Sequence, residues 1–223
     1  SLSQRKHRAA WAKYDVFHST FFSAAPLPDM PQVVTAHDMA ADRFPDLTGA
    51  WGRQRAEDKA KALRTATRII AISQATADEL AAYYPDTRDR ILVIHHGADH
   101  LLAQAAATEA APVQSTSPYA LYVGDRAGYK NFRIILEAMC HANWPRDMRL
   151  LLAGQPFDVL EQLNVRRLGL DARIEHRGRV TDDELAGLYR GARCVIVPSL
   201  DEGFGFPTLE AQAMNAPLVC SDI

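Results

Sequence analysis

The sequence predicts a doubly wound α/β organisation, with a parallel sheet in each of two domains, and three observations carry that prediction. Short runs such as Arg68-Ile69-Ile70-Ala71-Ile72, Arg149-Leu150-Leu151-Leu152-Ala153-Gly154 and Cys194-Val195-Ile196-Val197 are apolar at nearly every position rather than alternating, which is how strands buried on both faces read. Each run is followed by a stretch of helical composition, and strand–helix alternation of this kind builds parallel sheets. The alternation breaks once, at the Ala- and Thr-rich run from Ala103 to Pro112 and the Ser115-Thr116-Ser117-Pro118 behind it, a composition suited to a linker. The expected division is therefore a first domain at residues 1–98, a linker at 99–118 and a second domain at 119–223.

The opening Gln4-Arg5-Lys6-His7-Arg8 is basic and helix-compatible to about Lys13. It reads as a solvated helix face, with contact to a membrane surface as the alternative. A strand is expected at 15–19, a loop at Pro26 and Pro28, and a second strand at 32–38. The second strand gathers its polar residues, Thr35, His37 and Asp38, at its C-terminal end, where open α/β sheets bind ligands. Residues 50–67 predict a helix with Ala56, Ala60 and Leu63 on one face. After the strand at 68–72, Ser73 or Thr76 caps a helix that Pro85 ends. The strand at 91–94 closes on His95-His96-Gly97; adjacent strand residues point to opposite faces, so the two histidines do not form a metal pair. In the second domain, strands are expected at 119–124, 149–154, 173–176, 194–197 and 217–220. Helices are expected at 131–141, 157–167, 182–190 and from Pro207 onward. Too few strands precede the linker for a full sheet and no helix follows the last strand, so both ends read as cut from a longer protein.

Composition excludes some classes. A formal net charge of −2 with 48% hydrophobic and 23% charged residues lacks the basic excess of a nucleic-acid binder. The three cysteines, Cys140, Cys194 and Cys220, have no C-x-x-C spacing and lie in apolar context, as buried free thiols in a reducing compartment would. No apolar run reaches the ~18 residues of a membrane span and no signal-peptide pattern opens the chain, which points to the cytoplasm. No His/Cys/Asp/Glu set has the spacing of a metal site.

The stretch from Asp201 to Ala211 holds the densest chemistry. A buried strand at 194–197 feeds Glu202-Gly203-Phe204-Gly205-Phe206-Pro207, with Pro207 suited to the first helical position and Glu210 following within the first turns. Strand, glycine loop and helix N-terminus form an anion site with available N–H groups and a positive dipole end. Two carboxylates beside such a site suit hydroxyl groups rather than phosphate, as a sugar or ribose offers.

Taken together, five segments resemble the retaining glycosyltransferases of family 4. They are Glu202-x7-Glu210 after Pro198-Ser199; Tyr122-Val123-Gly124 with Lys130-Asn131; Gly178-Arg179-Val180 with Asp183-Glu184-Leu185; Ile72-Ser73 with Val93 to Asp99; and Thr35-Ala36-His37-Asp38. The resemblance implies the GT-B architecture, two Rossmann-like domains facing across a cleft, and a nucleotide-sugar donor with a GDP or UDP moiety. It implies that Glu210 accepts the ribose hydroxyls, that Glu202 bonds the transferred sugar, and that the backbone N–H groups of Gly203, Phe204, Gly205 and Phe206 face sugar and diphosphate, with Thr208 in the same donor loop. Lys130, beside Gly124, would neutralise the departing diphosphate without a metal or other cofactor. Arg179 and Val180 would lie along the base, and His37 would contact the sugar from the opposing domain. One departure stands out. Relatives often carry an arginine directly after the glycine, whereas Asp125 holds that place here and Arg126 follows, shifted by one position toward the phosphates. The expected activity is retaining transfer of a hexose, mannose first, to a glycan or lipid-linked acceptor, with peripheral membrane contact through the first domain. An epimerase, a phosphorylase or a non-catalytic binding protein on the same scaffold are the alternatives, since fold does not fix reaction.

Overall fold

The computed structural model describes residues 9–97, 99, 117–126 and 128–223. The basic lead-in at residues 4–8 and residues 100–116 of the expected linker lie outside the described residues. The chain divides into two compact units, one made of residues 1–96 with 201–204 and the other of residues 97–200 with 205–223.

The first unit is built on a parallel sheet in the order β1 (Phe17–Ser19), β2 (Gln32–Ala36), β3 (Arg68–Ala71) and β4 (Ile91–Val93). Val34 of β2 and Ile69 of β3 stand opposite each other and are fully buried. Against this sheet lie α1 (Ala40–Arg43), α2 (Pro45–Thr65) and α3 (Gln74–Tyr83). Helix α2 begins at Pro45, ahead of the expected residue 50, because a proline at the first helical position has a preset φ and no N–H to satisfy. Of the expected stripe Ala56, Ala60 and Leu63, only Leu63 is fully buried. Lys59, Ala62, Leu63 and Ala66 are buried, whereas Ala56 and Ala60 are only half-buried. A lysine on the inward stripe is what conceals the true periodicity. Ser73, not Thr76, is the cap of α3, its hydroxyl accepting the Thr76 N–H at 3.0 Å. Pro85 ends that helix as expected and opens a 3-10 turn, Pro85–Arg90.

The second unit contains β5 (Tyr119–Val123), β6 (Arg149–Ala153), β7 (Ile174–Gly178), β8 (Cys194–Val197) and β9 (Leu218–Cys220), arranged in space as β7-β6-β5-β8-β9 and parallel throughout. The strand order therefore reverses between β5 and β8. Helices α4 (Arg133–Cys140) and α5 (Val159–Arg167) bring Ile135, Leu136, Met139 and Val165 against Ala120, Tyr122, Leu150 and Leu152. On the other face, α6 (Asp182–Gly191) and α7 (Phe206–Ala213) bring Ala186, Leu188, Tyr189 and Ala211 against Leu121, Leu151, Val195 and Val197. Both faces are covered, so the strands read as unbroken apolar runs, and each fully buried leucine contributes about 2 kcal/mol. The predicted pair of parallel α/β sheets is borne out.

One expectation about the second unit needs correction. Cys140 and Cys220 are exposed and only Cys194 is half-buried, because Cys140 ends α4 and Cys220 lies on β9, an edge strand of the described sheet. Burial raises the Cys194 thiol above its ordinary value. Beside α4, an apolar cavity of about 470 Å³ is lined by Ile134, Ile135, Trp144, Cys194, Ile196 and Val219 among others, and no candidate site residue borders it.

Candidate functional site

The strand reversal between β5 and β8 creates a crevice at their C-terminal ends, the place where open α/β sheets hold ligands. Glycines end three neighbouring strands there. Gly124 (φ 118°) donates its N–H to the Ala153 carbonyl at 2.9 Å, and Gly154 (φ 145°) donates to the Gly178 carbonyl at 2.9 Å. A Cβ on Gly154 would lie 2.6 Å from the Gly124 carbonyl oxygen, so this close approach excludes any side chain. The loops after the two strands are joined: Leu200 N–H donates to the Tyr129 carbonyl at 2.8 Å. Lys130 is half-buried in the 3-10 turn Gly128–Lys130, its ammonium 5.1 Å from the centre of the Tyr129 ring. It does not open a helix as expected, because Asn131 takes a φ of 55° and α4 starts only at Arg133.

Arg126 also has a different place from the one expected. Its guanidinium donates to both carboxylate oxygens of Glu161, at 2.8 and 3.0 Å, and to the carbonyls of Gln155 and Pro156, each at 2.9 Å. The ring of Phe157 lies 5.0 Å away, and the side chain is 5% exposed. Glu161 in turn completes a capping box with Asp158 at the start of α5. Arg126 therefore braces α5 rather than facing the crevice with a free fork. Asp125, next to it, turns its Oδ1 back to the Arg126 N–H at 2.7 Å.

Helix α7 carries Glu210 into the same region. Gly205 precedes it in the left-handed conformation (φ 78°) with no side-chain cap, Phe206 is the first helical residue, and Pro207 is therefore second, not first. Thr208 N–H returns to the Gly205 carbonyl at 3.0 Å. Half-buried Glu210 accepts at Oε2 the hydroxyl of Tyr189, 2.6 Å away and itself buried at 1% exposure. Burial first, and the Glu210 charge second, push the Tyr189 hydroxyl far above the ordinary tyrosine range, so it stays a donor. Arg179 is exposed and Val180 half-buried at the turn after β7. That turn is fixed by the Thr181–Glu184 capping box at the start of α6, and hydrogen bonds from the Thr181 N–H and hydroxyl hold Glu184 below the usual glutamate range.

Asp201, Glu202, Gly203 and Phe204 belong to the first unit. Asp201, 5% exposed, receives Arg43 at 3.3 Å while its Oδ2 is buried without a partner. Burial first, then Glu79, raise its carboxyl to about 6 against the partial counteraction of Arg43. Gly203 is tight against β2's end: a Cβ there would fall 1.6 Å from the His37 carbonyl oxygen. His37 donates through Nε2 to the Thr20 carbonyl at 2.7 Å and stacks on His96 at 5.5 Å, whose other edge meets Phe204 at 5.4 Å. Burial, then the neighbouring His37, lower His96 from its ordinary value. Asp38 Oδ1 accepts the Ala40 N–H at 3.2 Å, just ahead of α1.

The candidate residues thus fall into two groups. Gly124, Arg126, Lys130, Arg179, Val180, Gly205, Phe206, Thr208 and Glu210 belong to the second unit, and His37, Glu202, Gly203 and Phe204 to the first. Sequence reasoning assigned no site role to Tyr189, Asp201, Arg43 or His96. Tyr189 lies three residues after Ala186 on the apolar face of α6, so its spacing signals core and only its hydroxyl betrays a second task. Among the described residues no three His, Cys, Asp or Glu side chains are grouped to hold a metal ion.

Two family models match the chain in succession. Residues 2–100 match the model of Glycosyltransferase Family 4, and residues 117–223 match that of Glycosyl transferases group 1. O-antigen chain mannosyltransferase B of Escherichia coli is 31% identical over 97% of this chain and 60% of its own length. The chain spans about three fifths of the length of the curated relatives it matches. Among solved structures, sucrose-phosphate synthase from Thermosynechococcus elongatus superposes with a TM-score of 0.71 at 20% identity, covering 98% of this chain and 59% of that one. The Anabaena protein HepE, crystallised with UDP-glucose, gives a TM-score of 0.68 at 16% identity, covering 98% of this chain and 63% of the other.

Proposed function

Because the chain belongs to the family 4, group 1 glycosyltransferases, we propose that the protein transfers a hexose from a nucleoside-diphosphate sugar to a glycan or lipid-linked acceptor, with retention of anomeric configuration. The observation that carries this reading is Glu210, held by the buried Tyr189 hydroxyl at the crevice between β5 and β8. Tyr189 occupies Oε2 and sets the plane of the carboxylate, which leaves Oε1 to accept a ribose hydroxyl. The uncapped start of α7 supplies N–H groups and a positive dipole end for the diphosphate. Lys130 opposes the charge that grows as the nucleotide leaves. Arg179 and Val180 flank the base, Glu202 and the backbone of Gly203 and Phe204 bind the sugar, and His37 takes part in the transfer step. Arg126 is left out of this assignment, since its guanidinium is committed to Glu161 and two carbonyls.

Mannose from GDP-mannose is the first choice of donor, supported by the likeness to an O-antigen mannosyltransferase. Glucose on UDP is the second, supported by the fold shared with a protein crystallised with UDP-glucose. No helix among the described residues is long and apolar enough to cross a membrane. Cytoplasmic action with peripheral contact at the inner membrane face remains part of the proposal, because a lipid-linked acceptor presents its sugar there.

Calorimetric titration of the full-length protein with GDP-mannose and UDP-glucose tests the reading. One of them binds, and Glu210→Ala weakens that binding about 10- to 100-fold, the value of a charge-assisted hydrogen bond or two. Glu202→Ala chiefly lowers kcat. A folded protein that binds neither nucleotide sugar would overturn the assignment.

A further inference from the structure

Packing alone does not explain Lys59. It stands on the inward stripe of α2, 1% exposed, where an alanine or leucine would fill the same space without desolvating a charge. An ammonium has three donors, and all of them go to one short segment. Nζ donates to the Asp38 carbonyl at 2.9 Å, to Asp42 Oδ2 at 2.6 Å and, weakly, to Met39 Sδ at 3.8 Å. The ring of Phe22 lies 5.0 Å from it. Asp42, whose side chain is 9% exposed, accepts the Tyr84 hydroxyl at its other oxygen, 2.5 Å away. Burial, then the bond and charge of Asp42, raise that hydroxyl well above the tyrosine range, so Tyr84 too remains a donor. The network is closed, and every atom bonded to the lysine lies within residues 38–42, directly behind His37.

Buried ion pairs contribute little net stability compared with apolar substitutes, but they specify one arrangement. Here the arrangement specified is the backbone leaving β2. Its tolerance is small: Gly203 already touches the His37 carbonyl, and the imidazole is pinned to Thr20 on one side and His96 on the other. We propose that Lys59 is a positioning residue, setting the turn at residues 37–42 so that the His37 ring is presented in one orientation. The proposal rests on the reading of His37 as a participant in sugar transfer.

The pair is removed together, as Lys59→Met with Asp42→Asn, so that no lone charge stays buried and Tyr84 keeps an acceptor. Circular dichroism checks the fold of the full-length protein. The histidine ring resonances are then followed by NMR, with His37 assigned by its loss in His37→Gln. The His37 ring signal shifts in the double variant, while His141 and His176 of the second unit keep theirs. In the transfer assay kcat falls about 10- to 100-fold, as expected for a misplaced group, with KM for the nucleotide sugar within twofold. Adding His37→Gln to the double variant costs little more, since both changes act through one ring. An unmoved His37 signal overturns the proposal, as do kinetic effects that simply multiply. Should the double variant not fold, Lys59→Arg serves instead: the longer fork shifts the same signal, and a signal that stays put overturns the proposal. Because the ring signal is read without substrate, a protein with no transferase activity refutes the proposed function while the positioning role is still decided.

Discussion

A carboxyl raised to about 6 in a loop that carries a conspicuous Glu-x7-Glu pair gives Asp201 a measurable consequence at the level of one residue. Burial is the main cause, Glu79 and Asp38 add to it, and Arg43 offsets part of it. With the folded value above the ordinary 3.8, the native state binds a proton that the unfolded chain has released. Stability therefore falls as pH rises from about 4 to about 6 and levels off above that. Asp201→Asn mimics the protonated form and removes the effect. The variant is expected to be more stable than the parent at pH 7.5, by at most about 3 kcal/mol and seen as a higher melting temperature, and to match it below pH 4. Equal melting temperatures at both pH values would show that Arg43 compensates the charge fully. Glu202 and Glu210 were legible in the sequence because glycine and proline punctuate them. Asp201 and Tyr189 were not, because what distinguishes them is burial and a single partner supplied by a distant element.

At the level of elements, the crevice depends on neighbouring strand ends, with a register shift between β6 and β7, and glycine keeps them close. Gly154 is the critical one, with a positive φ and a backbone oxygen 2.6 Å from where a Cβ would stand. Gly154→Ala must push the Gly124 carbonyl aside while holding alanine in a conformation that L residues resist. A loss of about 1–3 kcal/mol in stability follows from that strain. Weaker nucleotide-sugar binding accompanies it, since Gly124 begins the loop that carries Lys130. Gly97→Ala, where an added methyl meets nothing within 4 Å, is the control for both. A wild-type melting curve and affinity in Gly154→Ala would show that the strand ends can part without consequence. Strand positions were readable to within a residue or two, since apolar runs and flanking turns report burial directly. Helix starts were less so. Pro45 draws α2 forward, and Asn131 in a left-handed conformation delays α4; a propensity count sees neither. Lys59 misled more deeply, because a buried charge looks like an exposed one until its partners are known.

Across the whole molecule, five weak motifs in a fixed order identified both the family and the fold. Order carries that information because each motif ends a strand of a parallel sheet, and the connections of such a sheet leave few places for a ligand. On the proposed function, the chemistry turns on how the negative charge of a departing nucleotide is met. In the second unit, a lysine in a 3-10 turn after β5 and the start of α7, which has no side-chain cap, supply positive charge, and Glu210 on that helix already receives a hydroxyl from Tyr189. A fixed cation and oriented N–H groups stabilise developing charge without reorganising. Initial rates of sugar transfer by the full-length protein should therefore be unchanged in excess EDTA. Lys130→Ala should lower kcat about 100- to 1,000-fold, the scale set by removal of one preorganised charge partner, with nucleotide-sugar affinity reduced far less. Loss of activity in EDTA that Mg²⁺ restores would assign the leaving-group charge to a metal, and Lys130 would then be a surface lysine near the crevice and nothing more.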